Sequence, residues 1–149
     1  MTKKEIVDAF LSEKNIAVVG ASRNQRKFGS VCYNELKSKG YNAYPVNPNY
    51  PDIEGEKCYG NLKMIPTNVK AALIVVPPAE SGKVVNDAIE AGIKYIWFQQ
   101  GSHSNVALQL CGEKELNEVH GECILMFAQP KGVHKFHRWI WKTIGMLPK

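Results

Sequence analysis

Residues 16–19, Ile-Ala-Val-Val, form an uninterrupted apolar run rich in β-branched side chains, and Gly20 closes it. A run of this length and composition suits a strand buried on both faces, as in a parallel sheet. A polar stretch, Ser22 to Lys27, follows, and a helical pattern begins after it. This order constrains the chain strongly, because a parallel strand reaches its neighbour only through a crossover, usually a helix. The same order builds an anion site. The first N–H groups of a helix lack partners, and the positive end of its dipole points at the loop. Ser22 adds a hydroxyl, while Arg23, Arg26 and Lys27 add charge. A phosphate-bearing ligand fits such a loop. The dinucleotide fingerprint Gly-x-Gly-x-x-Gly is broken, since the glycine after Gly20 is Gly29. The competing reading is an ordinary strand–helix turn with solvated basic residues.

The rest of the chain alternates in the same way. Thr2 and Glu5 have capping-box spacing ahead of an apolar face of Ile6, Val7, Phe10 and Leu11. Phe28, Val31, Cys32 and Leu36 mark the helix after the loop, with Gly40 as its stop. Further strands are expected over 41–46, 71–76, 95–98 and 123–127, and further helices over 80–91 and 104–120. Asn47-Pro48-Asn49-Tyr50-Pro51 and Pro77-Pro78 end the second and third strands, since closely spaced prolines suit neither helix nor strand interior. The alternation predicts an α/β fold: a Rossmann-like, doubly wound, parallel five-stranded sheet in the order 3-2-1-4-5, with helices on both faces. Ligands of such sheets sit at the carboxyl ends of the strands, at the switch point beside the first one. The loops there are 20–27, 47–50, 76–79, 99–102 and 128–131.

At 149 residues, 44% of them hydrophobic and 22% charged, the chain suits one soluble domain. Its start lacks the apolar core of a signal peptide, and no apolar stretch approaches a membrane span, so a cytoplasmic location is the expectation. Cys32, Cys58, Cys111 and Cys123 form no C-x-x-C pair, so no metal is expected. Cys32, Cys111 and Cys123 read as small core residues, and Cys58 as an exposed loop thiol. Residues 1–130 carry 14 basic and 14 acidic side chains. The net charge of +5 therefore resides in 131–149, a basic aromatic segment set apart from the 1–130 domain. Val133, Phe136, Ile140 and Ile144 recur there at helical spacing, which predicts a terminal helix packed on the domain or on a second subunit. The alternative is an arm for nucleic acid or an anionic membrane.

An NAD-type site wants an acid near the end of the second strand, and a 2′-phosphate wants an arginine. Residues 45–49 read Pro-Val-Asn-Pro-Asn and offer neither. An enzyme using another adenine nucleotide, of NAD(P) type, is thus the weaker alternative. Val19-Gly-Ala-Ser22, Pro45-Val-Asn-Pro48, Cys58-Tyr59, Val75-Val-Pro-Pro78, Ala91-Gly92 and Trp97-Phe-Gln-Gln-Gly101 occur in the order and spacing of the CoA-binding domain family. Over roughly residues 5–130 the chain resembles that family, and with it the nucleotide domain of the succinyl-CoA synthetase alpha subunit. The resemblance implies a stand-alone Rossmann-like domain that binds CoA or an acyl-CoA. It implies phosphate contacts from Ala21, Ser22, Arg23, Asn24 and Lys27; Gly20 lets the chain turn closely behind the first strand, and the planar fork of its guanidinium makes Arg23 the chief side chain of the loop. Asn47 and Pro48 would lie near the ribose-phosphate. Val76, Pro77 and Pro78 would border the adenine, and Gln99 and Gln100 would line the pantetheine route. Two departures stand out. Many relatives carry a lysine after Asn-Pro, where this chain has Asn49. Many carry a cysteine before the proline that follows the fifth strand, where it has Gln129-Pro130.

Catalysis has little support in the residues. His103 falls in the fourth loop and reads as a solvated side chain. His120 reads as the last turn of a helix, and His134 and His137 belong to the basic segment. No pattern assembles a triad, a carboxylate pair or a metal site. The residues point to a binding module rather than an enzyme.

Overall fold

The structure, a computed structural model, describes residues 1–127. Gln129-Pro130 and the expected terminal helix within 131–149 lie outside the described residues.

Strand β1 (Asn15–Val19) buries Ile16, Ala17 and Val18 completely, because it has a strand on each side and helices above and below. It pairs in parallel with β2 (Asn42–Val46) and with β3 (Ala71–Ile74), bringing Val46 and Ile74 level with Val19. Strand β4 (Tyr95–Gln99) continues beside β3, and β5 (Asn117–Glu122) forms the far edge. Beyond β2, the long loop contributes one parallel bridge, Tyr59 to Val46. The Tyr59 N–H donates to the Pro45 carbonyl, and the Asn47 N–H donates to the Tyr59 carbonyl, both at 2.9 Å.

The fold is the Rossmann-like doubly wound sheet that the alternation predicts. Its outer third position is held by that single residue, Tyr59, so the 3-2-1-4-5 arrangement is met with β3 in fourth place, beside β1. Strand β3 is buried at all four residues, and such a run needs a central position.

Helices α1 (Lys3–Ser12) and α2 (Phe28–Ser38) cover one face. Val7, Phe10, Cys32, Tyr33 and Leu36 pack there against Ile16, Val18, Leu73 and Trp97. Helices α3 (Pro78–Ala91) and α4 (Asn105–Glu113) cover the other, where Val85, Ala88, Ala107 and Cys111 meet Ala17, Ala72, Ile74, Ile96 and Phe98. The capping box at Thr2 forms as the spacing predicts: Glu5 N–H donates to the Thr2 hydroxyl, and Thr2 N–H to the Glu5 carboxylate.

Three expectations are corrected. The helix expected over 104–120 ends at Glu113, and the next segment is strand β5, so His120 lies in a strand. The apolar run 123–127 is not a strand but contains a single 3₁₀ turn, Ile124–Met126, with all three residues buried. An edge strand needs no continuous apolar run, and a fully buried turn does. Trp97 Nε1 donates to the Glu122 carbonyl at 3.1 Å, and Ile124 N–H donates to Gln99 Oε1 at 2.9 Å, which holds this turn beneath the sheet edge. Cys58, expected to be exposed, is buried like the other three cysteines. No described helix is long and apolar enough to cross a membrane.

Candidate functional site

At the carboxyl end of β1 the chain reverses through Gly20, whose φ is +100°. A Cβ there would lie 1.9 Å from the Val75 carbonyl oxygen, so only glycine fits. Gly20 N–H donates to the Val46 carbonyl at 3.0 Å, and Val75 N–H donates to the Val19 carbonyl at 2.8 Å. Three strand ends thus converge on one point, and the space above them is a cleft of about 730 Å³. That volume suits a nucleotide-sized ligand.

The loop of residues 21–27 holds itself in shape. Ser22 is buried, and its hydroxyl accepts from Asn24 N–H at 3.0 Å, leaving its own hydrogen to donate into the cleft. Asn24 Oδ1 accepts from Arg26 N–H at 3.0 Å. Lys27 precedes α2 and gives it no side-chain cap, so the first-turn N–H groups of Phe28 and Gly29 remain for an outside acceptor. Lys27, Phe28 and Gly29 all line the cleft.

Asn47 joins the second loop to the first. Its Nδ2 donates to the Ala21 carbonyl, and its Oδ1 accepts from Asn49 N–H, each at 2.9 Å. Cys58 Sγ donates to the Asn47 carbonyl at 3.5 Å; burial pushes this thiol up from its ordinary range, against smaller lowering effects of that hydrogen bond and of Arg23.

Among the residues expected at the site, Gly20, Ser22, Lys27, Asn47, Pro48, Val76 and Pro77 are brought together on the cleft wall. Ala21, Arg23, Asn24, Pro78, Gln99 and Gln100 are not on it. Ala21 is fully buried in the core. Arg23 turns away to the hairpin of Asp52–Ile53 and Glu56–Lys57: its Nε donates to the Asp52 carbonyl at 2.9 Å, and its guanidinium pairs with the Asp52 carboxylate at 3.1 Å and lies over the Tyr50 ring. Pro78 opens α3, and buried Gln99 is occupied by Ile124.

Sequence reasoning missed the contribution of α3 and of the long loop. Glu80, Lys83, Val84 and Asp87 face the cleft from α3, and Asn61 and Leu62 from the loop. The spacing 80, 83, 84, 87 is one helical face, a readable signal that looked like an ordinary mixture of core and solvent positions. Lys27 and Lys83 make no ion pair among the described residues.

His103 is not simply solvated. Its ring packs on that of His120 at 5.0 Å, its Nδ1 is buried without a partner, and His120 Nδ1 meets Glu118 Oε2 at 2.8 Å. The cluster stands outside the cleft wall. Among the described residues, no group of three or more His, Cys, Asp or Glu is placed to hold a metal ion.

A doubly wound sheet with a glycine-bearing turn, a helix N-terminus and a cleft over the switch point defines the class of nucleotide-type binding domains. Within that class, residues 14–129 match the CoA binding domain model, and the chain belongs to that family. It is similar to the alpha subunit of an ADP-forming acetate–CoA ligase from Pyrococcus furiosus, with 36% identity over 90 residues, covering 60% of this chain and 20% of the ligase subunit. The chain thus spans about a fifth of that relative's length. Two solved structures are similar over most of both chains. A conserved hypothetical protein from Pyrococcus furiosus has 40% identity, a TM-score of 0.72, and coverage of 75% of this chain and 97% of its own. A hypothetical protein from Pyrococcus horikoshii has 31% identity, a TM-score of 0.78, and coverage of 84% and 88%.

Proposed function

We propose that this chain is a binding module for CoA or an acyl-CoA, held in the cleft above β1, β2 and β3. The observation that carries the reading is the mixed lining of the cleft. It includes the free first turn of α2, the Ser22 hydroxyl and Lys27, a donor set suited to a diphosphate. It also includes Pro48, Leu62, Val76, Pro77 and Val84, apolar side chains suited to a base. The end of β2 presents Asn47 and Pro48, with the Asn47 amide spent at both ends on the backbone, so the carboxylate that grips NAD ribose has no counterpart there.

The reading includes no bond-making step. The described wall of the cleft carries neither thiol nor imidazole, and ligase activity of the larger relatives belongs to proteins of which this chain matches a minor part. Calorimetry with CoA, acetyl-CoA, ADP and NAD tests the proposal. CoA and acetyl-CoA should bind more tightly than NAD, and Lys27→Gln should weaken CoA by about tenfold or more, as expected for a charge-assisted contact. Equal binding of CoA and NAD overturns it.

A further inference from the structure

We infer that Ser81 and Ser104 are positioning residues of the cleft: the bond between their hydroxyls locks the start of α3 to the start of α4 and fixes one wall for the ligand. The inference rests on the CoA-type reading above and adds to it two residues that stand behind the ligand site.

Ser81 is the polar member of the buried face of α3, beside Val85 and Ala88. It is completely buried, and a buried hydroxyl is costly unless it is hydrogen-bonded. Ser81 Oγ donates to the Pro78 carbonyl at 2.7 Å, within its own helix. Its hydrogen is thereby used. At the 2.8 Å contact between the two hydroxyls, Ser104 is therefore the donor and Ser81 the acceptor. Ser104 Oγ in turn accepts from Ala107 N–H at 3.1 Å, as the N-cap of α4. One directed chain of bonds thus runs from the first turn of α4 into α3, and each hydroxyl in it donates once and accepts once.

Both ends of this chain of bonds adjoin the cleft. Ala79 and Glu80, between Pro78 and Ser81, line it, and Ser102, two residues before Ser104, lines it from the loop after β4. Ser81 and Ser104 are not on the wall themselves. The two helices also run close together here, since a Cβ on Gly82 would lie 3.3 Å from Val106 Cγ1. Apolar contact has no direction and leaves packed helices free to shift past each other. A hydrogen bond between two hydroxyls selects one register. Stability alone does not call for the pair, because replacing both partners of a buried bond by apolar groups is nearly neutral. A wall of fixed shape does call for it. Without the link, a ligand has to supply the free energy that brings α3 and the fourth loop into register.

The test is calorimetry of the full chain with CoA, beside urea denaturation, on wild type, Ser81→Ala, Ser104→Gly, Ser104→Thr and the double variant Ser81→Ala/Ser104→Gly. Glycine at an N-cap costs little, so Ser104→Gly removes the link and still starts α4. Threonine keeps the hydroxyl, and Ser104 is only half-buried, so the added methyl group has room. Ser81→Ala and Ser104→Gly should each weaken CoA by about three- to tenfold, the worth of one hydrogen bond. The double variant should lose no more than either single one, because the two act through one bond. Ser104→Thr should bind CoA as wild type does. A merely structural pair would lower the urea midpoint and leave the affinity of the folded protein unchanged. CoA affinity within about twofold of wild type in Ser81→Ala and Ser104→Gly therefore overturns the inference and leaves the CoA-type reading standing. Losses that add in the double variant, or a loss in Ser104→Thr as large as in Ser104→Gly, do the same. Absence of CoA binding by wild type overturns both.

Discussion

A side chain on Gly29 would place its Cβ 2.0 Å from the carbonyl oxygen of Gly20. The start of α2 thus presses directly on the turn that ends β1. The two glycines do what closely spaced glycines do in the dinucleotide fingerprint, tight turn and close helix–strand approach, but across a longer loop. Gly20→Ala and Gly29→Ala should each destabilise the fold by about 2–4 kcal/mol, since neither backbone has room for a methyl group. Urea denaturation measures this. Gly112→Ala is the control: a Cβ there meets nothing within 4 Å, and alanine should stabilise α4 by up to about 1 kcal/mol.

Arg23 tests how far charge in a sequence can be read as function. The loop carries three basic residues, and the fork of arginine suits phosphate best. The structure uses that fork on the hairpin, against Asp52 and the Tyr50 ring. Both members of the pair are about half exposed, so its loss should cost no more than about 0.5 kcal/mol. Arg23→Gln should therefore alter CoA affinity far less than Lys27→Gln in calorimetry. A larger loss for Arg23 would return it to the site.

The strands legible in the sequence are those buried on both faces. Residues 16–19, 71–74 and 95–98 are apolar runs because central strands meet helices above and below. Strand β5 was not legible: as the edge strand it reads Asn-Glu-Val-His-Gly-Glu and buries only Val119 and Glu122. The neighbouring run Ile-Leu-Met reads as a strand and folds as a turn because a distant side chain, Gln99, accepts from its first N–H. The opening loop was legible as an anion site from its order alone. The reach of α3 into the cleft was not, because it depends on where β3 sits in the sheet.

Gln99→Ala should show what holds that turn. It removes the acceptor of a buried N–H, at a cost of about 1–3 kcal/mol. Hydrogen exchange of the Ile124 amide should accelerate, while CoA affinity stays unchanged, because Gln99 is not on the cleft wall. A loss of affinity with unchanged exchange would place Gln99 on the ligand route instead.

The buried thiols make stability fall at alkaline pH. Burial, and secondarily the charge of Glu118, pushes the Cys111 thiol up to about 12 from an ordinary value of 9.0. Burial raises Cys32 as well. The folded state keeps these protons while the unfolded chain gives them up. The contribution of Cys111 is fully present below about pH 9 and is lost as pH rises toward about 12, and that of Cys32 is lost in the same direction. Cys111→Ala should flatten that part of the pH–stability curve, measured by urea denaturation between pH 8 and pH 11, although it opens a small cavity and lowers stability throughout.

Asn47 is the most demanding position of the second loop, because both ends of its amide are used and cannot be exchanged. The Ala21 carbonyl requires a donor and receives Nδ2, while Asn49 N–H requires an acceptor and receives Oδ1. Asn47→Ala removes both bonds and should cost about 1–3 kcal/mol. It should also weaken CoA, since the loops of β1 and β2 lose the link that fixes their spacing across the cleft. Asn47→Asp separates the two bonds. A carboxylate still accepts from Asn49 N–H, but its second oxygen faces the Ala21 carbonyl and repels it. At neutral pH this variant should be no more stable than Asn47→Ala. Protonation restores a donor toward Ala21, so the carboxyl should titrate above the ordinary aspartate range. The difference in stability between Asn47→Asp and wild type should shrink as pH falls through that value. Paired urea denaturations of the two proteins at pH 7 and pH 5 read this difference directly, and a difference that stays constant or grows would show that the Asn47–Ala21 bond does not hold the loops together.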